Sequence, residues 1–158
     1  MPLALSTTLL VSHRRKSVDA DILLGSCGTV LSLLDMSAFS TDFYIDEDVA
    51  RSAIKSQQMF NLMHLDSAIK VDLIVRKNSE YRRAEFERRK SVEFAGISTW
   101  ITSREDLILS KLVWARDTGS EMQLRDVRTL IDESVDWLYL KDWAAKLGVA
   151  AKLEEVSK

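Results

Sequence analysis

The sequence predicts an α+β protein: a mixed or antiparallel sheet flanked by helices, then a helical C-terminal part. Three observations lead there. "DADILL" (19–24), "MFNLMHL" (59–65) and "AIKVDLIVR" (68–76) are apolar runs of strand length. Polar stretches with helix-capping residues alternate with them through the first two thirds of the chain. From Ser103 onward the apolar spacing is helical to the end. Strands mixed with helices and followed by helices alone are the pattern of that class.

Each element has its own reason. Residues 3–13 read as a short helix, which Thr7 and Thr8 weaken. Residues 19–24 read as a strand, and Ser26 is placed to cap a helix over 28–36. "DFYID" (42–46) is a short strand, after which Asp46 caps "EDVARSAIKSQ", whose Val49, Ala53 and Ile54 keep helical spacing. The next two strands are separated only by Asp66-Ser67, so a tight turn must pair them as an antiparallel hairpin. Ser79 caps a charged helix over 79–90, and Gly96 divides "SVEFAGISTWIT" into two short strands. "SRED" (103–106) has the form of a capping box with Asp106 in place of the usual glutamate. The helix it opens carries Leu107, Ile108, Lys111, Leu112 and Trp114 and ends at Gly119; residues 120–133, 138–147 and 150–157 are also helical. No linker, repeat or low-complexity stretch interrupts the chain, so a single domain is expected, with a sheet-containing part (1–102) and a helical part (103–158).

The bulk numbers exclude several classes. With 158 residues the chain is long enough for a proper core. Its 22 basic and 24 acidic residues leave a net charge of −2, which argues against a protein that wraps nucleic acid over its whole surface but not against a local basic patch. Cys27 is the only cysteine, so there is neither a disulfide framework nor a cysteine zinc site. His13 and His64 are too far apart to suggest a histidine metal cluster. The first apolar stretch lacks a basic segment ahead of it, so no signal peptide is expected. No run reaches the ~20 apolar residues of a membrane span, and a cytoplasmic location is expected, with no membrane partner.

Chemistry concentrates on three acids. Residues i and i+2 of a strand share a face, so Asp19 and Asp21 project together. Two carboxylates that close repel unless a positive charge lies between them, and Mg2+ is a hard ion suited to carboxylate oxygens. The plainer reading is a turn at Asp19 with Asp21 solvated. Asp72 sits among Ile69, Val71, Leu73, Ile74 and Val75, where a charge needs a metal or a partner such as Lys70 or Arg76. Three acids converging on one edge suit two metal ions and an in-line phosphoryl displacement.

"RKSVDADILL" resembles the R-x-[ST]-x-D-x-D-[IL] segment of the polymerase-beta-like nucleotidyltransferase superfamily, and looks most like small bacterial members related to abortive-infection type toxins of toxin–antitoxin pairs. "DFYIDEDVARSAI", "MFNLMHLDSAIKVDLIV" and "SREDLILSKLVWARDTGSEMQLRDVRTLI" resemble the family's later segments in the same order, so the resemblance spans about residues 13–148. It implies Mg2+-dependent transfer of a nucleoside monophosphate from an NTP to a hydroxyl acceptor on RNA or protein. Asp19, Asp21 and Asp72 would hold the two Mg2+ ions, with Asp72 also helping to activate the acceptor hydroxyl. Lys111 would reach the phosphates or the sugar, Asp126 would support the site from the helical part, and Arg15 and Ser17 match the lead-in to the acid pair. The family's Gly-Ser motif, whose backbone amides hold phosphates at a helix N-terminus, has no counterpart near Ala4 and Leu5 beyond Ser6. The chain is therefore expected either to start late or to be a degenerate member, and the alternative function is a catalytically inactive binding or interaction module. The sheet edge left bare by the missing upstream elements would suit a homodimer.

Other features carry readings of their own. Arg82, Arg83, Arg88, Arg89 and Lys90 on the helix over 79–90 could steer a tRNA acceptor, but the interleaved Glu80, Glu85 and Glu87 favour a solvated helix. Lys111 reads equally as a core-edge lysine reaching for solvent. Trp100, Trp114, Trp137 and Trp143 read as packing, His64 as structural, and Cys27 as a buried or loop thiol.

Overall fold

The computed structural model describes residues 8–10, 20–24, 42–67, 69–94 and 96–158. The helix expected from Ser26 over 28–36 and the Cys27 thiol lie outside them. The chain divides into two compact units, residues 1–102 and 103–158. The fold is mixed α+β. No described helix is long and apolar enough to cross a membrane.

Unit 1 is built on one sheet. Its described strands are β1 (Thr8–Leu10), β2 (Ala20–Leu24), β3 (Phe43–Tyr44), β4 (Met59–His64), β5 (Lys70–Val75), β6 (Lys90–Phe94) and β7 (Ile97–Ile101). They run in the order β3-β4-β5-β2-β1-β7-β6. The pairs β2–β5 and β1–β7 are parallel and the rest antiparallel, so the sheet is mixed. The helix expected over 3–13 is not what forms: its described centre, Thr8–Leu10, is a strand between β2 and β7. A three-residue run has little intrinsic preference, and two flanking strands with open hydrogen-bonding edges decide it.

Helix α1 (Glu47–Ser56) starts at Asp46, whose carboxylate accepts the Val49 N–H at 3.0 Å. Its buried stripe is Ala50, Ala53 and Ile54; Val49, expected on that stripe, is exposed, and Ala50 takes its place. The stripe packs on Phe60 and Leu62 of β4 and Leu73 and Val75 of β5, with Val71 at the margin. This core fixes the β4–β5 register, because a slip of one residue would turn Asn61 and Asp72 inward. The hairpin is antiparallel, but its connection is wider than the two residues expected: the His64 N–H reaches the Ile69 carbonyl at 2.9 Å. His64 Nδ1 accepts the Ser67 N–H at 3.3 Å, which makes the imidazole a brace for that turn.

Helix α2 (Glu80–Glu87) is capped by Ser79, which accepts the Arg82 N–H at 3.2 Å. It is shorter than expected. Arg88 is its cap and Lys90 opens β6, so the basic residues do not form one helical face. Glu85 was expected in solvent; it is fully buried, with Arg82 Nη1 at 2.9 and 2.7 Å from its two oxygens. The i,i+3 spacing allows the pair on either side of a helix, so only packing determines which side is inside. Gly96 turns the chain from β6 into β7 with φ +77°, a region that L side chains avoid. Trp100, read as packing, is 38 % exposed on β7.

Unit 2 holds α3 (Arg104–Thr118), α4 (Glu121–Leu130), α5 (Trp137–Lys146) and α6 (Ala150–Val156). Helix α3 is central and packs against the other three. That explains why it buries residues around much of its circumference, among them Ile108, Leu109, Leu112 and Ala115. Trp114 lies on its exposed side and is not the packing residue expected, whereas Trp143 is buried. At the start of α3, Ser103 Oγ accepts the Asp106 N–H at 3.2 Å. Asp106, fully buried, also accepts the Tyr139 hydroxyl at 2.7 Å, so the cap ties α3 to α5. Gly119 ends α3 with φ +69°. Helix α4 stops at Leu130, short of the 133 expected, and the following turn is held by Asp132, which accepts the Ser134 N–H at 2.9 Å and pairs with Arg104.

Two stability predictions follow from these charges. Glu85→Gln keeps the shape but leaves the Arg82 guanidinium without its carboxylate; urea unfolding is expected to show a loss of about 2 kcal/mol. The hydrogen bonds from the Ser134 side chain and backbone, with Arg104 beside them, hold the Asp132 carboxyl below the usual carboxylate range. The stability this adds is complete above that range and is lost as pH falls through the lower folded value. Asp132→Asn is therefore expected to flatten the fall in stability between about pH 5 and about pH 3.

Candidate functional site

The candidate site grows out of the alternation along β5. Leu73 and Val75 are buried on the face that packs α1. Lys70, Asp72 and Ile74 fall on the other face, by the two-residue period of a strand. Asp72 is thus not enclosed on both sides, as the apolar run around it suggested; it stands on the face opposite the α1 core, its side chain 17 % exposed.

The neighbouring strands supply its surroundings. On one side β4 places Asn61 in register with Asp72. On the other, the parallel strand β2 places Asp21 in register with it, in the series Ala20 with Val71, Asp21 with Asp72 and Ile22 with Leu73. Register partners in a parallel pair share a face, and adjacent strands lie about 4.8 Å apart. Asn61, Asp72 and Asp21 therefore form one row across three strands.

One cation is visible. Lys70 Nζ lies 2.9 Å from Asp72 Oδ1. The approach makes an ion pair but lacks hydrogen-bond alignment, and Oδ1 is a buried oxygen without a hydrogen-bond partner. The lysine side chain is 42 % exposed, so the pair is weakly held and can open to solvent.

The remaining expected residues fall into three groups. Arg15, Ser17 and Asp19 lie outside the described residues, as does His13. Asp21 and Asp72 are register neighbours in unit 1. Lys111 and Asp126 meet in unit 2: Lys111 Nζ donates to Asp126 at 2.7 Å and to Gln123 Oε1 at 3.1 Å. Lys111 is only 8 % exposed, so its ammonium is held by those two acceptors and not by bulk water.

No protein-family model and no curated protein matches the chain.

The chemistry of the row is read from its donors alone. Carboxylates are the oxygen ligands that Mg2+ prefers, and the buried Asp72 Oδ1 lacks a hydrogen bond that a ligated cation would make unnecessary. Among the described residues no group of three or more His, Cys, Asp and Glu is arranged to hold a metal. Of the three expected ligands, only Asp72 has a described side chain.

Sequence reasoning missed Asn61. The hairpin pattern was the signal that could have found it, since the register pairs Asn61 with Asp72 as soon as Phe60 and Leu62 are assigned to the core. It also missed Gln123, whose amide shares the Lys111 ammonium and could not be found without the packing of α3 on α4.

Lys111→Ala is expected to destabilise unit 2 by about 2–3 kcal/mol, through lost stem packing and an unpaired Asp126, whereas Lys111→Met keeps the stem and recovers about half of that. Thermal unfolding of the two variants measures the difference.

Proposed function

We propose that the chain is a nucleotidyltransferase-like protein that transfers a nucleoside monophosphate from an NTP to a hydroxyl acceptor on RNA or protein, as a component of a toxin–antitoxin pair in the cytoplasm. The observation that carries this reading is the in-register pair of Asp21 and Asp72 on adjacent parallel strands. The order of the sequence segments, with R-x-S-x-D-x-D first and the hairpin acid later, is its second support.

In this reading Asp19, Asp21 and Asp72 hold the Mg2+ ions, and Mg2+ when bound offsets the negative charge of the triphosphate. The acceptor oxygen bonds to the α-phosphorus while the bond to pyrophosphate breaks. Asp72 takes the hydroxyl proton, and the Lys70 ammonium must first leave its carboxylate oxygen. Asn61, in the same row, orients the acceptor or a water beside Asp72. Arg15 and Ser17 hold the loop ahead of the acids or a phosphate, whereas Lys111 and Asp126 pair with each other within unit 2 and take no part in this step.

The Lys70–Asp72 pair favours a second reading, an inactive binding or interaction module, because an ammonium there already neutralises the carboxylate.

The test is incubation with each labelled NTP, Mg2+ and total tRNA or protein. The first reading expects incorporation that falls at least about a hundredfold in Asp72→Asn, with a melting temperature close to that of the parent chain. Absence of both incorporation and NTP binding by calorimetry would leave the module.

A further inference from the structure

Unit 1 carries a second cluster of charge on the β5–α2–β7 side. Arg76 follows β5 directly, and its Nε and Nη1 atoms are buried without a hydrogen-bond partner. Its guanidinium lies over the Phe86 ring at 5.4 Å. A second guanidinium on Phe86 is that of Arg89, at 3.9 Å, and Arg89 in turn lies over the Trp100 ring at 4.7 Å. Arginine and aromatic rings thus alternate from Arg76 to Trp100.

Such a ladder stabilises itself only in part. The ring faces attract the guanidinium planes, but they satisfy none of the in-plane N–H donors. Buried arginine donors without acceptors are costly, and native structures supply the acceptor, often as an ion. The Arg76 guanidinium carries N–H donors of the kind that bind a phosphate oxygen. At the other end Trp100 is 38 % exposed, with Arg89 over its ring, which leaves indole surface for a base to stack on. Lys77, Arg88 and Lys90 are exposed nearby along the chain and add positive charge on the same segments.

We propose that this ladder binds single-stranded nucleic acid: Arg76 holds a backbone phosphate and Trp100 stacks a base. The proposal rests on the nucleotidyltransferase reading only in making the strand its acceptor; binding is a property of the ladder. The overall charge of −2 accords with a local site and not with wrapping.

The experiment is fluorescence anisotropy with a short labelled RNA at low salt, without NTP or Mg2+, using the full chain. Arg76→Gln is expected to weaken binding about tenfold or more and Trp100→Ala by a similar factor, with Trp100→Phe between. Thermal unfolding of each variant accompanies the titrations, and Trp100→Ala, at a half-exposed position, gives the answer if Arg76→Gln does not fold. Binding that is unchanged in folded Arg76→Gln, or in Trp100→Ala, overturns the proposal. So does equal affinity for the matching duplex, which has no free base to stack, or equal competition by inorganic phosphate and by AMP. No binding by the parent chain also overturns it. Because Mg2+ and NTP are absent, loss of transfer in Asp72→Asn and loss of strand binding in Arg76→Gln are separate results.

Discussion

The parallel pairing of β2 with β5 is the constraint on which the candidate site depends. A parallel pair keeps register partners on one face. Once the hairpin commits Phe60, Leu62, Leu73 and Val75 to the α1 core, the face of Asp72 is settled, and the β2–β5 register carries that choice to Asp21. The apolar half of the strand thus positions the polar half. Burying a Leu or Phe side chain is worth about 1.5–3 kcal/mol each, several times what an exposed ion pair such as Lys70–Asp72 supplies. Packing, and not charge, therefore holds Asp72 where it is.

Buried charge is handled in different ways in different parts of the molecule. Glu85 is met by both contacts of Arg82, and Lys111 is met by Asp126 and Gln123. These are closed arrangements, with ion and acceptors supplied by the same helix or its neighbour. Asp72 Oδ1 is met by the half-exposed Lys70 ammonium alone, and the Arg76 Nε and Nη1 donors have no hydrogen-bond partner in the protein. Places where local satisfaction fails while the surrounding fold is consistent are where function is sought. The acid lies within β5 and the arginine directly after it.

Some of this was legible in the sequence. The caps were: Asp46, Ser79 and Ser103 each accept the N–H expected of them, because a cap is a contact over three residues. The hairpin was legible because two apolar runs with so short a gap leave few options. The β1 segment was not, since Thr8–Leu10 is too short to have a preference of its own. Nor was the burial of Glu85, since a charged residue on a charged helix gives no sign of which side packs. The exposed rings of Trp100 and Trp114 misled for the opposite reason: large apolar residues are taken for core by default, and a sheet face or helix side left open reverses that.

The sequence by itself determined the α+β class, the caps, the antiparallel hairpin and the choice of Asp72 as an acid out of keeping with its apolar run. All of these depend on neighbours within a few residues, where spacing alone carries the information. Only the tertiary structure decided that Asp21 and Asp72 are register partners, that Lys70 stands against Asp72, that Lys111 meets Asp126, and that Arg76 and Trp100 end one ladder. Those facts join residues far apart in the chain or select one partner among several, and the burial of apolar faces chooses between arrangements that local pattern leaves equal.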